Sequence, residues 1–316
     1  MSTGLSGHKG TKKRRGLKNL VWHAAKSVAL GGLYPWELQE NWLMVERREM
    51  ALSGLGAGFR GARVVHISDL HYSPLVLGRY LRGCVAAINA MEPDFVVVTG
   101  DFITDGRAYA RKVAAVLGEL TPRAATMACL GNHDHGMWHP RGLGGKPGLA
   151  DYLVERLTGA GVHVMLNETR TFRRNGSSLQ FVGIEDMWAP GHDPAAAFAK
   201  ADRRLPTIAL CHNPDDAHAA AGHGAQWVLS GHTHGRAKPP MRFFKWAFPT
   251  RHRHLVAGHY SLGPGKHLYV NRGLGYSRRV HPDHHPEITV FTLRTATGRS
   301  YADVAVTEAL AVAAGG

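Results

Sequence analysis

Between residues 62 and 295 the chain alternates short apolar runs with stretches whose apolar positions recur every three or four residues. Residues 62–68 and 93–99, the second carrying Phe95-Val96-Val97-Val98, have the continuous hydrophobicity of strands covered on both faces. Residues 77–91, 108–120 and 149–158 carry helical periodicity, and further strands are predicted at 125–130, 162–166, 179–184, 207–211, 226–230, 268–271 and 288–293. This alternation predicts an α/β layered domain with its chemistry on loops at strand ends. It also predicts a leader and linker at 1–60, one domain at 61–296, and a tail at 297–316 whose small residues 309–316 fray.

The leader has a different pattern. Leu17, Leu20, Val21, Ala24, Ala25 and Val28 share one helical face, with Lys18, Trp22 and Lys26 on the other, as in a basic helix lying on a membrane surface. A plain basic tail is a second reading. Arg14-Arg15 faintly resembles a twin-arginine export signal, although His23 and Lys26 interrupt its apolar region. No uncharged apolar run reaches 18 residues, which argues against an ordinary transmembrane helix.

The net charge of the 316 residues is +14, and its distribution sharpens the picture. Residues 1–26 hold seven cations and no acid, and residues 236–279 hold no acid either. Such asymmetry suits an anionic partner: a phosphate-bearing substrate, a nucleic acid or an anionic lipid surface. The three cysteines, Cys84, Cys129 and Cys211, are widely spaced without a Cys-x-x-Cys pair, so neither a disulfide framework nor a zinc knuckle is indicated and a reducing compartment is the default reading. Cys211 ends an apolar run and reads as a buried small hydrophobe, and His66 as a packed core histidine.

Candidate chemistry sits where predicted strands end. Asp69-Leu70-His71, Gly100-Asp101, Gly131-Asn132-His133-Asp134, His212 in Cys-His-Asn-Pro, and Gly231-His232-Thr233-His234-Gly235 supply the carboxylate, imidazole and amide groups for two adjacent metal ions. Any one block is weak evidence; the ordered set of five is strong. In that order they resemble the calcineurin-like metallophosphoesterase superfamily over roughly residues 60–295.

The resemblance implies a four-layer α/β/β/α sandwich, two packed mixed sheets flanked by helices, with residues 61–296 as the catalytic domain. It implies that Asp69, His71 and His234 hold one divalent ion, that Asn132, His212 and His232 hold a second, and that Asp101 bridges them. The ions would be Mn²⁺, Fe²⁺, Zn²⁺ or Mg²⁺, with Mn²⁺ favoured, and hydroxide between them would attack the phosphorus. His133 would act as general acid or electrostatic clamp, oriented by Asp134. Gly231 and Gly235 would allow the last turn its close approach.

Substrate choice must come from outside these blocks. Residues 268–275 and 286–289, with the turn Gly183-Ile184-Glu185-Asp186, resemble a membrane-associated branch that includes bacterial phosphodiesterases and UDP-2,3-diacylglucosamine pyrophosphatases of lipid A synthesis. That branch often continues its final motif with Gly-Gly-Gln, where this chain has Gly235-Arg236-Ala237. The loop 239–248 alternates cations with aromatic rings, which suits a membrane interface, although the same rings could pack inward. The expectation is an enzyme on the cytoplasmic side, peripheral to the inner membrane, acting on a lipid-linked phosphodiester or pyrophosphate, with no protein partner inferred. A soluble nuclease or cyclic nucleotide phosphodiesterase, with nucleic acid as the less favoured partner, and a non-enzymatic metallated membrane scaffold are the alternatives. The tracts His252, His254 and His281, His284, His285 read as solvated loop histidines.

Overall fold

The computed structural model of the chain describes residues 43–235, 254–275, 285–296 and 306–310. The amphipathic leader, Arg236, the aromatic loop 239–248, and His252, His281 and His284 lie outside the described residues.

Two mixed sheets form the frame. The first contains β1 (Leu43–Leu52), β2 (Arg63–Ile67), β3 (Phe95–Thr99), β4 (Ala125–Cys129) and β5 (Val162–Val164), together with two strands from the far end of the chain. The second contains β6 (Glu168–Arg174), β7 (Ser177–Gly183), β8 (Thr207–Leu210), β9 (Trp227–Ser230), β10 (Gly258–Gly263) and β11 (Lys266–Val270). The remaining strands, β12 (Glu287–Thr295) and β13 (Val306–Leu310), complete the first sheet in the order β13-β1-β12-β2-β3-β4-β5, and the second runs β10-β11-β9-β8-β7-β6.

The two faces of each strand explain the layering. Along β2 and β3, Val64, Phe95 and Val97 face the second sheet, where they meet Phe181, Ile208, Leu210 and Trp227. Their neighbours Val65, Ile67, Val96 and Val98 face the helices α1 (Gly78–Ala90), α2 (Arg107–Leu117) and α3 (Leu149–Gly159). Two short helices, α4 (Pro194–Phe198) and α5 (Ala217–His223), cover the outside of the second sheet. The result is the four-layer α/β/β/α sandwich, two packed mixed sheets flanked by helices.

The sheet reaches beyond the limits expected for the domain. β1 lies within the segment 1–60 assigned to leader and linker, and β13 within the tail 297–316. β1 escapes a simple alternation because its burial changes phase. Leu43 and Val45 are buried against the helices, whereas Met50 and Leu52 are buried between the sheets, and Glu46-Arg47-Arg48-Glu49 separates them. Residues 309–310, expected to fray, pair antiparallel with Met44 and Leu43. The strands β6 and β10 were also not predicted, being rich in polar residues and only partly buried.

His66 is a core residue, fully buried, with Nε2 2.8 Å from Thr99 Oγ1 and its ring edge-on to Tyr269. Cys211 is likewise buried, its Sγ 3.3 Å from Ser230 Oγ. Burial drives the imidazole of His66 from 6.5 to about 3. The unfolded chain therefore binds a proton at this ring below about pH 6.5 that the folded chain refuses, and the fold loses stability as pH falls from 6.5 to 3. Replacing His66 with Gln is expected to flatten that window by about 1.4 kcal/mol per pH unit in urea unfolding. An unchanged pH slope would rule out His66 as the source.

Candidate metal centre

The candidate ligands all follow the C-terminal ends of parallel strands, and they come from both sheets. Asp69 and His71 follow β2, Asp101 follows β3 and Asn132 follows β4, whereas His212 follows β8 and His232 and His234 follow β9. The strands deliver them by breaking out of extended geometry abruptly. Asp69, His71, Asp101, His232 and His234 have φ of 48°, 47°, 55°, 71° and 54°, in the left-handed region that non-glycine residues rarely occupy. Such conformations cost on the order of 1 kcal/mol each and persist where the surroundings over-determine them. Gly131 lets two loops touch: a Cβ there would run into Asp101 Oδ1 and come within 2.6 Å of the Asp101 amide nitrogen. Gly231 has the same role against the Asp69 carboxylate.

The seven residues fall into two groups sharing Asp101. In the first, His71 Nε2 is 3.1 Å from His234 Nε2, and His234 Nε2 is 3.4 Å from Asp69 Oδ1. In the second, His232 Nδ1 is 3.1 Å from Asn132 Oδ1 and 3.2 Å from His212 Nε2. Asp101 Oδ2 lies between the groups, 3.4 Å from His71 Nε2 and 3.3 Å from His212 Nε2. Its other oxygen, Oδ1, accepts the His133 amide at 2.9 Å. One oxygen thus faces both groups while the second ties down the loop after β4.

These separations test the fit to a cation. Donors bound to one ion at about 2.0–2.2 Å lie roughly 3.0–3.5 Å from each other, the spacing seen here between ring nitrogens and carboxylate oxygens. Asp69, His71, Asp101 and His234 alone bring four donor atoms within 4.8 Å of one another. The electrostatics agree. Burial pushes the Asp69 carboxyl up to about 6, opposed by His212. Burial also acts to raise Asp101, but His212, His133 and His71 hold it well below the usual carboxylate range. Burial would depress His212, yet Asp101 holds its imidazole well above 6.5. The opposed shifts of Asp101 and His212 mark a buried site whose carboxylate charge calls for compensating positive charge, which a divalent cation would supply. His212 is also oriented for ligation, because its Nδ1 donates to the Thr99 carbonyl at 2.8 Å and leaves Nε2 toward the centre.

A sequence model of calcineurin-like phosphoesterases matches residues 62–236 of this chain. The chain belongs to the calcineurin-like phosphoesterase family. It is 30% identical to the uncharacterized metallophosphoesterase YkuE of Bacillus subtilis, over 86% of this chain and 93% of that one. It is 28% identical to the phosphodiesterase YaeI of Escherichia coli, over 89% and 98% of the two chains. It is also 28% identical to the UDP-2,3-diacylglucosamine pyrophosphatase LpxG of Chlamydia muridarum, over 80% and 90%. As a member of this family, the protein is a metal-dependent hydrolase of phosphoric esters.

Within this phosphoesterase the pair His133 and Asp134 differs from expectation. The His133 ring stands edge-on to His71 with centroids 4.9 Å apart, but its Nδ1 meets the Thr104 carbonyl at 3.1 Å. Asp134 is fully buried and serves the backbone instead: Oδ2 accepts the amides of Asp101 and Gly131, both at 2.9 Å, and Oδ1 those of Phe102 at 2.9 Å and Ile103 at 3.4 Å. The orienting role assigned to Asp134 thus belongs to Thr104, and Asp134 locks the Asp101 loop to the Asn132 loop. Burial, followed by the Asp101 charge, pushes the Asp134 carboxyl up to about 8, while the Gly131 amide opposes the shift.

Sequence reasoning also missed a clasp between the sheets. His135 Nε2 is 3.1 Å from Glu185 Oε1, joining the loop after β4 to the loop after β7. Beside it the Trp188 ring stands edge-on to His232 with centroids 5.3 Å apart. The only sequence signals were the extra histidine after Asp134 and the Glu185-Asp186 turn. Behind the first group, Asn271 Oδ1 accepts the Ser68 hydroxyl at 3.1 Å and the Gly273 amide at 2.7 Å, and the Gly275 amide donates to the Asp69 carbonyl at 2.7 Å. Substituting Asp134 with Ala leaves buried amides without an acceptor. The expected cost is at least about 3 kcal/mol in denaturant unfolding, together with loss of bound metal by elemental analysis. Retained metal at wild-type stability would rule out the locking role.

Proposed function

We propose that this phosphoesterase holds two divalent cations and hydrolyses a phosphodiester or pyrophosphate bond in a lipid-linked substrate at a membrane surface. The observation that carries the two-ion reading is Asp101 Oδ2, at 3.4 Å from His71 Nε2 and 3.3 Å from His212 Nε2, with a complete donor group on either side. Asp69, His71 and His234 would hold one ion and Asn132, His212 and His232 the other, with Asp101 shared. Mn²⁺ is the favoured ion, because carboxylate and amide oxygens share the site with imidazoles, while Fe²⁺, Zn²⁺ and Mg²⁺ accept related donor sets. When bound, the pair supplies charge neutralisation at the phosphoryl oxygens and brings the pKa of water toward neutrality.

The chain's own residues do the rest. The Thr104 carbonyl can only accept, so His133 Nδ1 carries hydrogen and Nε2 is the nitrogen that exchanges a proton. The cationic ring can then hold a phosphoryl oxygen or give that proton to the leaving oxygen. Two orienting contacts limit the waste of either step: Thr104 fixes the ring, and the His133 amide on Asp101 Oδ1 fixes its backbone.

UDP-2,3-diacylglucosamine is the named candidate substrate, supported by the likeness to LpxG. No helix among the described residues is long and apolar enough to cross a membrane; peripheral attachment to the cytoplasmic face is our reading of the basic amphipathic leader in the sequence. With Mn²⁺, turnover of this nucleotide lipid is expected to exceed that of cyclic nucleotides or single-stranded DNA, and Asp101→Ala is expected to reduce it at least about a thousandfold. Cleavage of DNA or cyclic nucleotides alone would favour the soluble nuclease or phosphodiesterase reading. No turnover of any ester by metal-loaded protein would leave the non-enzymatic scaffold.

A further inference from the structure

The loop that carries Asn132 and His133 continues outward as residues 136–147, and it is built as a compact projection. The Trp138 amide donates to the Leu143 carbonyl at 3.1 Å, Gly142 to His139 at 3.0 Å, Gly145 to Gly142 at 3.1 Å and Lys146 to His135 at 2.9 Å. Met137 and His139 are buried as its base. Although the backbone is pinned, Trp138 is 59% exposed and Leu143 48% exposed, and the shared hydrogen bond sets them across the loop from each other. On the loop after His71, which follows β2 of the same sheet, Leu75 is 58% exposed. Three of the five large hydrophobic residues exposed among the described residues thus lie on ligand-bearing loops of one sheet.

Charge identifies what would cover them. Residues 135–150 contain no acid, and Arg141 is exposed between Trp138 and Leu143. An indole, an aliphatic side chain and a guanidinium on one tip match the layered chemistry of an anionic bilayer surface: acyl chain, headgroup level and phosphate. We propose that the tip formed by Trp138, Arg141 and Leu143 inserts into the headgroup region of an anionic membrane. This rests on the reading of a lipid-linked substrate and says which surface of the protein meets the lipid. The same loop reports to the centre, since the Asn132 side-chain amide donates to the Met137 carbonyl at 2.7 Å, one residue from Trp138. Docking would therefore bear directly on a metal-site residue.

The test is co-sedimentation of the full chain with vesicles of phosphatidylcholine containing phosphatidylglycerol, and with phosphatidylcholine alone. Wild type is expected to bind the anionic vesicles preferentially. Trp138→Ser combined with Leu143→Ser, and separately Arg141→Glu, are each expected to weaken that binding by about tenfold. Unchanged metal stoichiometry and thermal midpoint serve as fold controls. Wild-type partitioning by both variants, or no vesicle binding by the wild type, would overturn the proposal. Turnover of the nucleotide lipid in detergent separates the two readings: if it proceeds while the variants bind vesicles normally, only the docking surface fails. If the variants lose binding and no lipid is hydrolysed, only the substrate fails.

Discussion

Everything in this molecule answers to two buried carboxylates. Asp69 and Asp101 are at most 2% exposed, and among the described residues neither is paired with a lysine or arginine. Histidines and backbone amides surround them instead: the amides donate hydrogen bonds to the carboxylates, and only the imidazoles could supply a full positive charge, by taking up a proton. A fold gains little by keeping anions in this state. It makes sense as a socket for external positive charge, and the left-handed backbone at five of the seven candidate ligands is the geometric counterpart of that demand.

The supporting structure is organised around the same need. Asp134 spends its carboxylate on backbone amides of two loops, so that Asp101 and Asn132 approach each other at fixed distance. Asn271 does the corresponding task for the turn at Asp69, and is itself held by Glu287 at 3.2 Å and Thr289 at 2.9 Å. Glu287 is fully buried and bonded to Tyr269 and Arg272. Polar groups this deep are tolerated because each finds a partner, and together they convert a loop cluster into a rigid cradle.

Much of this was legible in advance, for identifiable reasons. Asp69, His71, Asp101, Asn132, His212, His232 and His234 announce themselves by residue type, order and position at strand ends, and the structure brings all seven together. The helices and central strands followed from runs such as Phe95-Val96-Val97-Val98, where burial on both faces leaves no ambiguity. What escaped was carried by atoms without identity in the sequence. A backbone carbonyl, that of Thr104, orients His133, and nothing in the letters distinguishes it from any other. Asp134 is assigned to its sequence neighbour because a carboxylate beside a histidine suggests pairing, whereas its partners are the nearby Gly131 amide and amides some thirty positions away. β1 was hidden by the change of buried face around its charged centre.

The division of the ligands between the sheets has a mechanical consequence. Four candidate ligands hang from the first sheet and three from the second, so any ion held between them is a rivet through the sandwich as well as a reagent. Separating the layers would require the ions to leave first, and the apolar core between the sheets would open only after that release. With an ion bound in this way, the lifetime of the folded chain would be tied to the free metal around it, so that scarcity would shorten the life of the protein and not merely slow its chemistry.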